Sequence, residues 1–413
     1  MKRIIIYYSH RQTLGHQSRV ANIVASLHTN YKKKVKVFLF NAGLPEEFIQ
    51  FPPGTVCINI PFPFHSKQDF RVDRKNFSRG DVSSRSQFML KQIEKIRPDV
   101  FITEFFPFGR PDLIEEIFPV LRLVHSRGAK IISSLGYPYI NPFFFKTESR
   151  KIYTLLAKFY ETILVHTPDG LEEAYALKSL GDAQNEHPKG GLTKSYTDAF
   201  SVVKDKIVHT GYIVPAGIKN VSRPVLVNKI KSRERIFVLV SRGGGVIYPK
   251  LLTSAIQAKR ILGDKFVFLI VPGPSSTGAE MALFRSLIDK AGPEGIEMRP
   301  YVPDLFKYIR FCDVSISMCG YNTSAELLFF RTKSIVVPWR LWENQDNSYY
   351  NDQLTRSYLL KEYLGSGVVQ YNSISAKALA DGVQEQMAKD PPKEILKASD
   401  FEGAYFTAAR IMS

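Results

Sequence analysis

Two series of short β-rich runs, each run separated from the next by a helical stretch, set the limits on what this chain can fold into. The first series is RIIIYY (3–8), KVKVFLF (34–40), TVCINI (55–60), DVFIT (99–103), AKIISSL (129–135) and TILVHT (162–167). Amphipathic stretches lie between most of them, such as HQSRVANIVASLH (16–28) and RSQFMLKQIEKI (85–96). Apolar runs that alternate with helices belong in a parallel sheet covered on both faces. The rhythm breaks after KIVHTGYIVP (206–215), where AGIKNVSRPVLVNKIKSRER has many charges and no strong period. It resumes with IFVLVS (236–241), FVFLIVPG (266–273), GIEMRPY (295–301), DVSISM (313–318) and KSIVVPW (333–339).

The expectation is an α/β chain of two Rossmann-like domains facing a cleft. They span 1–215 and 216–395 and join near 212–235, with 396–413 as a C-terminal helix packing back on the first domain. A length of 413 residues agrees, because it exceeds what one ordinary core serves. Ligands of such a pair sit in the cleft, at the carboxyl ends of the strands. Residues 181–200, GDAQNEHPKGGLTKSYTDAF, are polar and aperiodic and read as an inserted loop.

Composition narrows the class further. Hydrophobic residues make up 44% and charged residues 23%, which suits a globular chain. No apolar run approaches the ~18 residues needed to span a bilayer. The apolar stretch of MKRIIIYYSH stops at Tyr8, too short for a secretory leader, and reads as a first buried strand. Cys57, Cys312 and Cys319 are few and scattered, which points to a reducing, cytoplasmic setting and away from a disulfide frame or zinc site. The formal charge of +17 favours phosphate-bearing partners: nucleotides, an anionic membrane or nucleic acid. Against nucleic acid stands the lack of an aromatic-basic RNP motif, a zinc finger or a clear helix-turn-helix.

Two strand ends carry glycine turns. VLVSRGGGVIYPKLL (238–252) places Gly243, Gly244 and Gly245 before Val246 and a helix. Bare backbone and a helix N-terminus suit a phosphate, although the sequence is neither a Walker loop nor G-x-G-x-x-G; a plain tight turn is the competing reading. SMCGYNTSAELL (317–328) repeats the design. Gly320 can turn the chain, Asn322 and Thr323 can cap the helix, and Glu326 falls in its first turn, where a carboxylate can accept from both hydroxyls of a ribose. A capped helix with an acid near its positive end is the plainer alternative.

Taken together these motifs resemble the two-domain GT-B glycosyltransferases, above all those with the C-terminal domain of the lipid-linked GlcNAc transferase MurG. The likeness rests on Gly320, Thr323 and Glu326, on SIVVPWR with Pro338, and on NDQLTRSYLLKEYLG with Gln353 and Arg356. GYNT followed by a P-x-R strand end and Q-x-x-R is similar to a little-characterised bacterial branch of these enzymes. So are LGHQSR (14–19), TEFFPFGR (103–110), ETILVHT and HTGYIVP in the first half. Cys319 departs from the family pattern, which has glycine there, so the turn is expected to be less open. RLWENQDNSYY (340–350) reads as an insertion beside the sugar pocket, and Gln345 competes with Gln353 for the family glutamine.

The resemblance implies a nucleotide-sugar, UDP-linked, as co-substrate, with no separate cofactor and no metal. Gly243–Val246 and Gly320–Thr323 would hold the diphosphate, Glu326 the ribose, Tyr301 and Val302 the base, and Gln353 the sugar. A hydroxyl acceptor, lipid- or phosphate-bearing, would lie on the first domain near Gly15, with Arg19 and Arg110 on its phosphate. His16 is the expected base, and Glu104 its rival or its orienter. NPFFFKTESRKIYTLLAKFYE (141–161) sets Phe143, Phe144 and Phe145 beside Lys146, Arg150, Lys151 and Lys158, and NYKKKVKVF (30–38) adds lysines. That mixture suits peripheral contact with the inner face of a membrane, or else a buried aromatic core with a solvated rim. A sugar-nucleotide epimerase of the same architecture and a polyanion-binding protein are the alternative functions.

Overall fold

A computed structural model of the chain describes residues 1–9, 14–43, 48–61, 78–108, 113–136, 149–176, 203–244, 249–339, 352–390, 392 and 396–413. The first seven strands are β1 (Lys2–Tyr8), β2 (Val35–Asn41), β3 (Val56–Asn59), β4 (Val100–Glu104), β5 (Lys130–Leu135), β6 (Thr162–Val165) and β7 (Ile207–His209). They form one parallel sheet in the order β3-β2-β1-β4-β5-β6-β7. Helices α1 (Gly15–Tyr31), α2 (Arg79–Ile96), α3 (Ile114–Ser126) and α4 (Ser149–Phe159) cover it. The second sheet holds β8 (Ile236–Ser241), β9 (Phe266–Val271), β10 (Ile296–Met298), β11 (Val314–Ser317), β12 (Ser334–Val336) and β13 (Gly367–Val368). Its order is β10-β9-β8-β11-β12-β13, again all parallel. Around it lie α5 (Val225–Lys231), α6 (Pro249–Leu262), α7 (Gly278–Ala291), α8 (Leu305–Phe311), α9 (Tyr321–Phe330), α10 (Asp352–Leu364) and α11 (Ala376–Ala388), and α12 (Gly403–Met412) ends the chain.

Side chains leave a strand on alternate faces, and both sheets use both faces. On β1, Ile5 and Tyr7 enter one core with Phe101, Ile131 and Ile163. Ile4, Ile6 and Tyr8 enter the opposite core with Val20, Ile23, Val24 and Leu27 of α1. On β8, Phe237 and Leu239 join a core with Leu327 and Leu328 of α9, while Val238 and Val240 pack on Leu251, Leu252 and Ala255 of α6. The central strands are buried on both faces and read in the sequence as apolar runs, whereas β3, β7 and β10 are exposed or half-buried. β13 has only two residues, beside Ile335 and Val336, and left no such run to read.

The C-terminal segment crosses back to the first sheet. Ala408 and Ile411 of α12 share a core with Val20 and Val24, and Lys2 Nζ donates to the Met412 carbonyl at 2.8 Å. Just before α12, the Tyr212 N–H donates to the Asp400 carbonyl at 2.6 Å, and the Gly403 N–H to the Tyr212 carbonyl at 3.0 Å. A Cβ on Gly403 would lie 2.2 Å from the Gly211 carbonyl oxygen, so this crossing needs glycine.

Sheet order positions the site. In the first sheet the chain runs outward from β1 through β2 to β3, then returns to β4 on the other side of β1. The second sheet repeats the reversal between β8 and β11. At each reversal the loops beyond the two strand ends part and leave a crevice.

Candidate active site

The first crevice collects His16, Arg19 and Glu104. Glu104 ends β4, whose Thr103 pairs with Tyr7 of β1. His16 and Arg19 lie in the first turns of α1, three residues apart and so on one face. His16 Nδ1 is 3.1 Å from Glu104 Oε1. Arg19 Nε donates to the same oxygen at 3.0 Å, and Arg19 Nη2 donates to it as well. The 3.2 Å separation of Arg19 Nη2 and His16 Nδ1 places two donors around one acceptor. Glu104 is 2% exposed. Burial would raise its carboxyl, but the Arg19 guanidinium and the His16 ring outweigh that and hold it at about 2. An ionised carboxylate facing Nδ1 fixes the Nδ1–H tautomer of His16 and puts the basic lone pair on Nε2. The ring retains 18% of its exposure and lies 5.1 Å from the Phe105 ring.

Held ionised in this way, Glu104 is a poor proton acceptor and faces His16 as a hydrogen-bond partner. Arg19 differs from expectation. It is 4% exposed, spent on Glu104, and its guanidinium lies 4.8 Å over the Tyr321 ring. An acceptor phosphate could reach it only by breaking a buried ion pair. Gly15 begins α1, and its carbonyl accepts from Asn322 Nδ2 at 3.3 Å, which joins the two halves of the cleft. Arg110 lies outside the described residues.

The second crevice collects the glycine turns. Gly243 has φ +71 in the turn after β8, which favours glycine. A Cβ on Gly244 would lie 2.9 Å from the backbone nitrogen of Leu14, the residue that precedes α1. This loop thus touches the opposite domain directly. Gly245 and Val246 lie outside the described residues. At the end of β11, Gly320 is the N-cap of α9 with φ −63, a conformation that does not itself require glycine, and a Cβ added there would meet nothing within 4 Å. Asn322 and Thr323 sit inside the helix and are not its caps. Cys319 is buried in the core, and its carbonyl accepts from Arg356 at 3.3 Å.

Glu326 falls in the second turn of α9, not the first, because the helix already begins at Tyr321. It lies four residues after Asn322 and so shares the helix face that meets α1. The residue is 8% exposed, and burial pushes its carboxyl up to about 8. Gln353 Oε1 accepts from the Trp339 N–H at 3.0 Å, which sets it at the end of the strand segment carrying Pro338. The Tyr301 hydroxyl donates to the Phe48 carbonyl at 2.9 Å, another bridge to the first domain. Val302 is 5% exposed within a core, so its side chain cannot present itself to a base. The described part of 141–161, α4, buries Ile152, Tyr153, Leu155, Leu156 and Phe159; Phe143, Phe144, Phe145 and Lys146 lie outside the described residues.

Sequence reasoning missed Ser134, His166 and Tyr321. Ser134 Oγ donates to Glu104 Oε2 at 2.7 Å and lies 2.8 Å from His166 Nε2. The Tyr321 hydroxyl donates to the His166 carbonyl at 2.6 Å and accepts from the Ile213 N–H at 2.9 Å. Position was one signal, since Ser134 and His166 stand at the ends of β5 and β6, and His166 and Tyr321 also fall within the ETILVHT and GYNT segments. Among the described residues no helix is long and apolar enough to cross a membrane.

Residues 242–409 match the glycosyltransferase family 28 C-terminal domain. No curated protein sequence matches the chain. Among solved structures it is similar to TcCGT1 in complex with UDP, at 12% identity and a TM-score of 0.63, covering 100% of this chain and 99% of that one. Acinetobacter baumannii MurG matches at 11% identity and a TM-score of 0.54, again over 100% and 99%. A putative UDP-N-acetylglucosamine 2-epimerase from Listeria monocytogenes matches at 10% identity and a TM-score of 0.58, over 100% and 95%. These likenesses establish the two-domain GT-B fold, and the match over residues 242–409 gives the chain a glycosyltransferase family 28 C-terminal domain.

Proposed function

We propose that the protein transfers a sugar from a nucleotide-sugar, UDP-linked, to a hydroxyl of a cell-surface glycan, glycolipid or metabolite, with inversion at the anomeric carbon and no metal ion. The observation that carries this reading is the His16–Glu104 pair at one switch point, set against the start of α9 at the other through Asn322 and Gly15. His16 Nε2 takes the proton of the acceptor hydroxyl as that oxygen attacks the anomeric carbon. The bond from this carbon to the diphosphate breaks, and the nucleoside diphosphate leaves. Its charge falls among the N–H groups at the start of α9 and the loop after β8. Glu326 accepts from the ribose hydroxyls, and Gln353 contacts the sugar. Gly15 borders the acceptor. The work takes place at the cytoplasmic side of a membrane, where the net charge of +17 favours anionic lipid.

Thermal unfolding with UDP, UDP-GlcNAc, UDP-glucose, GDP-sugars and dTDP-sugars tests the reading. A specific donor at a hundred times its Kd adds about 2.7 kcal/mol of stability. Absence of any shift overturns it, and steeply salt-dependent binding to DNA or RNA would then favour a polyanion-binding protein. Conversion of the donor to its epimer without an acceptor would make the enzyme an epimerase instead.

A further inference from the structure

Three nitrogen donors crowd one oxygen of Glu104, and a single group holds the other. His16 Nδ1, Arg19 Nε and Arg19 Nη2 all meet Oε1. Among the described residues Oε2 receives only Ser134 Oγ, at 2.7 Å. This is not how a guanidinium and a carboxylate settle by themselves. They prefer a fork, with one N–H to each oxygen. Rotation of the Glu104 carboxylate into that fork would take Oε1 away from His16.

We propose that Ser134 and His166 are positioning residues that lock the Glu104 carboxylate in the rotation presenting Oε1 to His16. The functional consequence rests on the reading of His16 as the base. Proton bookkeeping along the chain has one solution. An ionised carboxylate only accepts, so the one hydroxyl proton of Ser134 goes to Oε2. Ser134 Oγ must then accept from His166 Nε2, 2.8 Å away. His166 is thereby the Nε2–H tautomer, and its Nδ1 accepts from Thr210 Oγ1 at 2.9 Å or Thr407 Oγ1 at 3.3 Å. The ring is fully buried. Burial first, and then the nearby Arg19 charge, push it down to about 3, so it stays neutral and its polarity is fixed. Thr407 lies on α12, so the C-terminal helix closes the chain of hydrogen bonds that ends at His16.

The test is the tautomer of His16 in the full-length protein, read from imidazole ¹⁵N shifts after histidine labelling, with the signal assigned by its loss in His16→Asn. The wild-type protein should show the Nδ1–H form. Ser134→Ala should move the neutral ring toward the Nε2–H form that free imidazole prefers. His166→Phe should do the same, while His166→Gln, which keeps an N–H at similar reach, should preserve the wild-type tautomer. An unchanged tautomer in Ser134→Ala, with circular dichroism and melting close to wild type, overturns the proposal even if His166→Phe fails to fold. No substrate enters this measurement, so it separates the two readings. If the tautomer moves but UDP release from UDP-sugars does not change, the positioning role stands and the base assignment of His16 falls. With both correct, turnover drops about tenfold or more, a share of the roughly 10²–10⁴ that a general base supplies, and donor affinity holds.

Discussion

The Tyr321 hydroxyl donates to the backbone carbonyl of His166 at 2.6 Å, and so pins the first residue of α9 to the end of β6. The same oxygen accepts from the Ile213 N–H, and the ring lies under the guanidinium of Arg19. One phenol thus holds three segments that come from both sides of the cleft. Tyr321→Phe keeps the ring and leaves a buried carbonyl and a buried N–H without this partner. Such groups cost about 1–3 kcal/mol. Thermal unfolding should show a Tm lower by several degrees, and hydrogen exchange should quicken at the start of α9 and around residues 210–214. A variant that melts with the wild type would mean the bridge contributes nothing to joining the domains.

If Glu326 holds the ribose as proposed, its raised carboxyl ties donor binding to pH. Burial raises its carboxyl to about 8, so at neutral pH the empty protein holds this group mostly protonated. Accepting from two ribose hydroxyls favours the carboxylate, so binding UDP or a UDP-sugar should expel a proton. Calorimetry in buffers of different ionisation enthalpy should register the release near pH 7 and its decline above pH 8. Affinity should strengthen as pH rises toward 8. Glu326→Gln should abolish both effects, and Glu326→Ala should remove donor binding while the fold stays intact. The folded protein binds this proton more tightly than the unfolded chain, so the group costs stability as pH climbs from the ordinary carboxylate range to about 8. Glu326→Gln should remove that part of the pH dependence.

The central strands were legible because they are buried on two faces, which demands continuous β-rich runs of the kind seen at 236–241 and 266–271. β13 escaped because two residues carry no period. His16 and Glu104 are 88 residues apart, and what linked them was position after strands that prove to be neighbours. Arg19 was misplaced for a reason the sequence already contained. It stands three residues after His16 on the same face, so any carboxylate that meets one meets the other. The start of α9 was misjudged because Tyr321 has no capping oxygen within its own turn. Its hydroxyl is satisfied by His166 and Ile213, from the other domain, and no local pattern announces a tertiary contact of that kind. Ser134 and His166 were hidden for the same reason, since a lone serine and histidine at strand ends are ordinary until the sheet order sets them beside Glu104.

Acid should weaken the His16–Arg19–Glu104 cluster in a defined window. Glu104 is held at about 2, below the ordinary carboxylate range, because Arg19 and His16 outweigh the burial that opposes ionisation. A depressed carboxyl adds stability that is complete above its unfolded pKa and is lost as pH falls through its folded one. Glu104→Gln strands the Arg19 charge in a buried site, a loss of about 3–5 kcal/mol near neutrality. Chemical denaturation from pH 7 downward should show this gap between wild type and variant closing from about pH 4.5 toward 2. A gap that does not change with pH would mean that the amide is disfavoured there for reasons of shape and that the charge pair is not what the site needs.

Gly244 offers a purely geometric test of the cleft. A methyl group there would sit 2.9 Å from the Leu14 nitrogen and 3.1 Å from its Cγ, against backbone that α1 holds in place. Neither side can yield without separating the loop after β8 from the start of α1. Gly244→Ala should therefore shift the donor loop away from His16 without touching any proposed catalytic group. Overpacking of this kind costs about 1–3 kcal/mol. In the proposed mechanism this loop also holds the diphosphate, so donor affinity should weaken as well, and turnover should fall further, by about a hundredfold for a displacement near 1 Å between donor and base. Unchanged turnover would show that the empty contact between Gly244 and Leu14 is not the geometry in which transfer occurs.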